Sequence, residues 1–435
     1  MKTVIMAGGK GTRISSIASD IPKPMIPIQG VPVLEREIES LRKQGFTDII
    51  ITVSHLGHII MDYFGNGNDF GVNIEYYFEE VPLGTAGALF KLKDKLTEDF
   101  LLLNADAVFD IDFNRFVKYH KEHGGLVTLF THPNNHPYDS GLIISDSNGS
   151  VKEWLSKEDE RPQFYKNRVN AGLHVVSPKI LEMEINTPKI DLDRQILKPL
   201  AGTGKLIIYD SPEYVKDMGT PDRYYIVEDN FAKGIVNGKN LNNPQKAVFL
   251  DRDGTINQYR GFIRRPEEFE LIPGVSQAIK KLNESGYLVI VVTNQPVIAR
   301  GEVTYEELEV IHNKMETLLG NDGAYIDAIY YCPHHPHKGY EGEIPELKID
   351  CECRKPKPGL LLKAARDFNI SLSESFMIGD SLNDIQAGKN AGCKTILVSE
   401  NYQDLGQDSY YHSLGESVES ILSPKSTSIT LKRRI

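Results

Sequence analysis

Apolar residues in this chain fall in short runs. In the first half they occupy residues 4–6, 49–53, 100–103, 126–130, 141–144, 173–176 and 206–209. Runs of that length, bounded by polar or turn residues, predict buried strands. Residues 32–44 and 113–123 lie between them and read as helices. Strands alternating with helices predict an α/β fold with a largely parallel, doubly wound sheet. Residues 234–245 are rich in Gly and Asn and lack periodicity, which predicts a linker. A second series then begins at 247–250 and continues at 288–292, 328–331, 376–378 and 395–398, again with helical segments between. The expected organisation is one α/β domain over 1–233, a linker over 234–245, a second α/β domain over 246–424 and a flexible basic tail over 425–435. The halves show no repeat of one another.

A length of 435 residues fits two or three domains at roughly 150 residues each. With 40% hydrophobic and 25% charged residues the composition is that of a globular protein. The net formal charge of −11 argues against a nucleic-acid partner but leaves small anionic ligands open, since a pocket can be locally positive. No apolar run approaches the roughly 18–20 residues of a membrane helix. The N-terminus reaches glycines too soon for a signal peptide. A cytoplasmic protein with no membrane partner is therefore expected. Of four cysteines, Cys332, Cys351 and Cys353 cluster, which in that compartment favours a metal site over disulfides.

Ala7-Gly8-Gly9-Lys10-Gly11-Thr12-Arg13 follows the first strand directly. Its glycines let backbone N–H groups approach a polyphosphate, and Lys10 and Arg13 add positive charge. Lys23 stands between Pro22 and Pro24, which stiffen the backbone and aim the side chain. Leu83-Gly84-Thr85-Ala86-Gly87 has the look of a loop pressed against a flat ring, Asp106 closes a strong strand, and Asp217 follows another. Two carboxylates near strand ends could share one Mg²⁺ on a triphosphate.

Together these blocks, over about residues 1–232, resemble the sugar-1-phosphate nucleotidyltransferase family, which implies a Rossmann-like sheet. The resemblance implies that Gly8, Gly9, Gly11, Thr12 and Arg13 hold the nucleotide phosphates and Lys23 stabilises them at the reacting centre. It places Gly84 and Thr85 in the base and sugar region, and Asn170 and Gly172 at the sugar phosphate. Asp106 and Asp217 would bind Mg²⁺. The implied reaction is attack by a sugar-1-phosphate oxygen on the α-phosphorus of a nucleoside triphosphate, driven by alignment and charge neutralisation. One departure stands out: where the family carries a Glu-Lys pair for sugar hydroxyls, this chain has Ser156-Lys157, with Glu158 one place later.

The second half opens with Asp251-Arg252-Asp253-Gly254-Thr255 immediately after a strand. Carboxylates at i and i+2 let one attack phosphorus while the other handles protons. Thr293-Asn294, Lys355 within a proline-stiffened segment, and Asp380 with Asp384 come later; one of those last two aspartates could instead cap a helix. These blocks resemble the haloacid dehalogenase phosphatase superfamily over roughly 246–424, also Rossmann-like. The resemblance implies Asp251 as nucleophile, Asp253 as acid and base, and Thr293 and Lys355 on the phosphoryl oxygens. It also implies Asn294 near the substrate, and Mg²⁺ on Asp251, the Asp253 carbonyl and Asp380. Cys332, His334, Cys351 and Cys353 form C-x-H and C-x-C pairs suited to a tetrahedral structural Zn²⁺, with His335 and His337 as rivals to His334. Cys393 stands outside the pattern.

Residues 261–263, 269–275, 298–301 and 329–335 narrow the resemblance to D-glycero-D-manno-heptose 1,7-bisphosphate 7-phosphatases, which implies Arg354 at the distal part of the substrate. Pro296 and Val297 depart from that family's usual serine and glycine, and zinc-containing histidinol-phosphate phosphatases remain the nearest rival. A product of such a phosphatase, a heptose 1-phosphate, is what a sugar-1-phosphate nucleotidyltransferase consumes. The expectation is a bifunctional enzyme using Mg²⁺ at both sites and structural Zn²⁺, acting on nucleoside triphosphate and sugar phosphates, with pathway logic pointing to GDP-heptose of the α-anomer. A non-catalytic nucleotide-binding first half, another sugar such as mannose, and a homo-oligomer all stay open.

Overall fold

The structure is a computed structural model that describes residues 1–9, 20–185 and 187–423. The expected phosphate-loop residues Lys10, Gly11, Thr12 and Arg13 and the tail over 425–435 lie outside the described residues. Two compact units emerge: Met1–Pro162 with Asn167–Asn243, and Gln163–Lys166 with the chain from Pro244 onward.

In the first unit seven strands form one sheet: β1 (Thr3–Met6), β2 (Asp48–Val53), β3 (Asn73–Phe78), β4 (Phe100–Asn104), β5 (Val127–His132), β6 (Val169–Val176) and β7 (Leu206–Asp210). Their spatial order is β7-β5-β6-β4-β1-β2-β3. All pairings are parallel except those of β6, which is antiparallel to both β4 and β5. Between β5 and β6 no helix of α type intervenes; Leu142–Ser145 and Val151–Leu155 form a separate ribbon instead. Without a helical crossover a strand returns in the opposite sense. The apolar run at 141–144 is thus a ribbon strand and not part of the main sheet.

The strands are apolar on both faces because both faces are covered. Leu101 and Leu103 of β4 join a core with Leu34, Ile38 and Leu41 of the helix Val33–Lys43, whereas Phe100 and Leu102 join the opposite core. Strand β3 was not legible as an apolar run because it is an edge, with only Ile74 fully buried. In the Gly/Asn-rich stretch, Ile235–Gly238 is a helical turn, and Val236 packs with Tyr214, Met218 and Val227.

The second unit is a six-stranded sheet of β8 (Ala247–Leu250), β9 (Leu288–Asn294), β10 (Ala328–Cys332), β11 (Phe376–Gly379), β12 (Lys394–Val398) and β13 (Ser409–Tyr411). The order is β10-β9-β8-β11-β12-β13 and every pairing is parallel. Val248 and Leu250 face one core, Ala247 and Phe249 the other.

In each unit the chain switches direction at a central strand. β1 lies between β2 and β4, and β8 between β9 and β11. Open α/β sheets bind ligands outside the carboxyl end of such a strand. Gly8 and Gly9 follow β1, and Asp251 follows β8. No described helix is long and apolar enough to cross a membrane.

Candidate active sites and a metal centre

At the end of β1, Ser54 Oγ donates to the Gly8 carbonyl at 2.7 Å. A Cβ on Gly8 would sit 3.2 Å from Glu79 Oε1. Glu79 is therefore at the base of the glycine loop, a position that no motif announced. Its Oε2 accepts from Leu83 N at 3.1 Å, which ties the carboxyl to the next loop. There, Gly84 has φ +85° and a Cβ would meet the Ile190 carbonyl at 2.4 Å, so only glycine lets the two segments pass. Thr85 Oγ1 accepts from Leu192 N at 2.8 Å, fastening the same loop.

Lys23 lies in a short 3-10 turn, 8% exposed, and its Nζ donates to Asp106 Oδ2 at 3.0 Å. Just past β4 the chain forms a ribbon in which Ala107–Asp110 pairs antiparallel with Tyr214–Asp217, Asp217 opposite Ala107. That pairing brings the backbone of Asp217 beside that of Asp106, whose carbonyl accepts from Met218 N at 3.3 Å. Arg223 Nη1 then donates to both Asp217 oxygens, at 2.8 and 2.6 Å. Burial pulls the Asp217 carboxyl upward, but the Arg223 contact and the Gly219 N–H outweigh it and hold the group below its ordinary value. Arg223 was missed in sequence; its signal is a place in the first turn of a helix capped by Thr220, six residues after Asp217. Gly172, at a bulge in β6, has φ +76°, and a Cβ there would meet Asn104 Nδ2 at 2.5 Å; Asn170 Oδ1 accepts from Gly172 N at 3.2 Å. At the departing Ser156-Lys157 register, Lys157 and Glu158 are exposed. The acid–base pair there is Lys198 with Asp159, at 2.6 Å, and Ser156 N also donates to Asp159 at 2.7 Å.

In the second unit Lys355 is the hub. Its Nζ, 3% exposed as a residue, donates to Asp251 Oδ1 at 2.7 Å, Asp384 Oδ1 at 2.5 Å and the Val292 carbonyl at 2.8 Å. Burial alone would lower its pKa, yet Asp251 and Asp384 hold it above the ordinary lysine value. Burial pushes the Asp251 carboxyl up to about 7 against the pull of Lys355, and Asp384 and Asp253 add to the rise. Asp384 is also the helix-capping residue of the pair: its Oδ2 accepts from Ser381 N at 3.0 Å and from Ser381 Oγ at 2.5 Å. Asp380 remains facing Asp251. A Cβ on Gly254, which has φ +91°, would fall 2.1 Å from Asp380 Oδ2, so the Asp-x-Asp-Gly loop and the Asp380 loop can meet only through glycine.

Asp251, Asp380 and Asp384 offer oxygens within 4.8 Å of one another. Counting Asp253, four carboxylates face two cations, Lys355 and Arg252, an excess of two negative charges that suits a divalent ion. In the first unit, Asp106 and Asp217 are each already paired with a cation. That balance suits an ion that arrives with a polyanionic phosphate.

Asn294 spends its amide on the Lys355 backbone, donating to the carbonyl at 3.1 Å and accepting from the N–H at 3.0 Å, and so aims Lys355. Gln295 Nε2 donates to both Thr293 Oγ1 and Asp253 Oδ2, each at 2.9 Å. Arg252, fully buried, grips Asp253 through Nη2 at 3.0 and 2.9 Å. Neither Arg252 nor Gln295 was singled out in sequence.

Cys332 ends β10, and its Sγ, His334 Nδ1 and the sulfurs of Cys351 and Cys353 stand 3.2–3.6 Å apart in the contacts they make. A disulfide needs about 2.05 Å, and all four cysteines are free. Tetrahedral bonds of about 2.0–2.3 Å to one ion place donors near these separations. His335 is instead turned to the His337 carbonyl at 3.2 Å, and His337 is exposed, so His334 is the histidine of the cluster. Arg354 Nη1 donates to the His334 carbonyl at 3.2 Å, which links the cluster to the segment that delivers Lys355. Cys393 lies apart in the core.

Two family models match: nucleotidyl transferase over residues 2–234 and haloacid dehalogenase-like hydrolase over residues 194–392. The chain belongs to the nucleotidyl transferase family and, through its second unit, to the haloacid dehalogenase-like hydrolases; it is a nucleotidyltransferase and a phosphatase in one polypeptide. Over 152 residues it is 44% identical to a D-glycero-beta-D-manno-heptose-1,7-bisphosphate 7-phosphatase of Haemophilus ducreyi, covering 35% of this chain and 81% of the relative. The protein of that name from Escherichia coli K12 is 42% identical over 153 residues, covering 35% of this chain and 78% of the relative. Among solved structures, HddC from Yersinia pseudotuberculosis is 27% identical and covers 53% of this chain and 99% of its own, with a TM-score of 0.46.

Proposed function

We propose that the second unit removes the 7-phosphate of D-glycero-D-manno-heptose 1,7-bisphosphate and that the first joins the resulting heptose 1-phosphate to a nucleotide, with GTP as donor. What carries this reading is one pairing: a phosphatase half 44% identical to a heptose-bisphosphate 7-phosphatase sits in the same chain as a nucleotidyl transferase half. The phosphatase makes what a sugar-1-phosphate transferase consumes.

In the phosphatase, an Asp251 oxygen attacks phosphorus as the ester P–O bond breaks, and Asp253 gives its proton to the leaving oxygen. Asp253 then takes a proton from water, which attacks the aspartyl phosphate and regenerates Asp251. Thr293 and Lys355 hold the phosphoryl oxygens. Asp251, the Asp253 carbonyl and Asp380 would hold Mg²⁺, which supplies charge neutralisation at the phosphoryl group. In the transferase, a sugar-phosphate oxygen attacks the α-phosphorus and pyrophosphate departs; Lys23 neutralises charge, and Asp106 and Asp217 would hold Mg²⁺ brought by the triphosphate.

Glu79 favours guanine. A carboxylate beside the nucleotide loop accepts from the N1–H and exocyclic N–H of guanine, whereas adenine presents an acceptor at N1. Glu79→Gln, which trades an acceptor for a donor, lowers kcat/KM for GTP by about tenfold or more; an unchanged value removes Glu79 from base selection. The whole reading is tested by supplying heptose 1,7-bisphosphate of each anomer with each nucleoside triphosphate and following phosphate, pyrophosphate and the sugar nucleotide. No phosphate from the bisphosphate, or transfer to mannose 1-phosphate as fast as to heptose 1-phosphate, defeats it.

Cys332, His334, Cys351 and Cys353 would hold a structural Zn²⁺. Cys353→Ser removes about one zinc per chain by elemental analysis and lowers phosphate release at least about tenfold, since the same loop positions Lys355. Pyrophosphate release stays intact. Unchanged metal content contradicts the assignment.

A further inference from the structure

We infer that Gln295 is the positioning residue that couples the general acid Asp253 to the phosphate-holding Thr293, an inference that rests on the phosphatase reading above. Gln295 is 2% exposed, and its amide is fully committed. One N–H goes to Asp253 Oδ2 and one to Thr293 Oγ1, both at 2.9 Å, while its oxygen accepts from Arg252 Nη2 at 3.2 Å.

Two consequences follow. Because Thr293 Oγ1 receives an N–H, its own hydrogen is directed elsewhere and serves as a donor to the phosphoryl oxygens. The second concerns Asp253, whose other described partners are Arg252 and Asn257, the latter donating to Oδ1 at 3.1 Å. Both belong to the loop that carries Asp253 and shift with it. Gln295 comes from the end of β9, beside Thr293. Among the described contacts it is the one that registers the acid against the strand that holds the phosphate. Arg252 supplies charge, and Gln295 supplies alignment.

General-acid alignment matters in proportion to how badly the leaving group needs a proton. The test uses the full-length protein and kcat/KM, which is set by the step that expels the leaving group, for p-nitrophenyl phosphate and for heptose 1,7-bisphosphate. Nitrophenolate departs without a proton, whereas a sugar alkoxide does not. Gln295→Leu lowers kcat/KM for the sugar phosphate by about 10–100-fold and lowers the aryl value at least about tenfold less. Gln295→Glu keeps the shape but replaces a donor by a second carboxylate, and it shows the same split; it decides the matter if the leucine variant does not fold. Equal losses on both esters reduce Gln295 to a fold-supporting residue and overturn the inference. So does the absence of loss on both. If the unaltered protein releases no phosphate from heptose 1,7-bisphosphate, the phosphatase reading fails instead, which is a separate outcome.

Discussion

Asp251→Asn stops phosphate release from heptose 1,7-bisphosphate, with a fall of about a thousandfold or more in kcat, because no other group can form the phosphoenzyme bond. The amide is nearly the same size as the carboxyl, so the change isolates chemistry from packing. It also removes one of the two carboxylates that hold Lys355, leaving Asp384 as its anionic partner at 2.5 Å. The lysine therefore stays charged and in place. Pyrophosphate release from GTP and heptose 1-phosphate is unchanged in this variant, because the transferase residues belong to the other compact unit. Full phosphatase activity in the variant, measured by phosphate release, makes the nucleophile assignment wrong.

Lys23→Met produces the complementary result. Pyrophosphate release drops about a hundredfold to a thousandfold, the scale of losing one preorganised charged donor at a reacting centre. Methionine is chosen because the lysine stem is buried and a truncation to alanine would add a packing defect. Asp106 loses its partner at 3.0 Å, yet it is half exposed, so water compensates and the unit keeps its fold. Phosphatase activity is unaffected. Loss of both activities in either variant would show that the units work only as a coupled pair.

The physical basis of both experiments was unevenly legible. Strand-to-loop motifs such as Asp251-Arg252-Asp253-Gly254 are local: a buried apolar run ends, and a few polar residues must emerge at the sheet's carboxyl edge. Period and spacing are enough to find them. The Cys/His cluster was nearly as plain, since Cys-x-His and Cys-x-Cys are short-range pairs and the i, i+2 spacing already favours His334 over His335. Glu79 and Gln295 gave no such signal. Each meets a partner far along the chain, Gly8 and Asp253, and the meeting is made by strand order and loop packing.

By itself, then, the amino-acid order determined two α/β sheets, the loops at their switch strands and the kinds of atom those loops present, because burial periodicity and turn chemistry act over a handful of residues. Only the tertiary structure decided that β6 runs antiparallel, that the segments carrying Asp106 and Asp217 pair as a two-stranded ribbon, and that Asp384 caps a helix while steadying Lys355. Those outcomes depend on contacts between distant segments, where shape and charge balance select one partner among several that the sequence alone leaves equal.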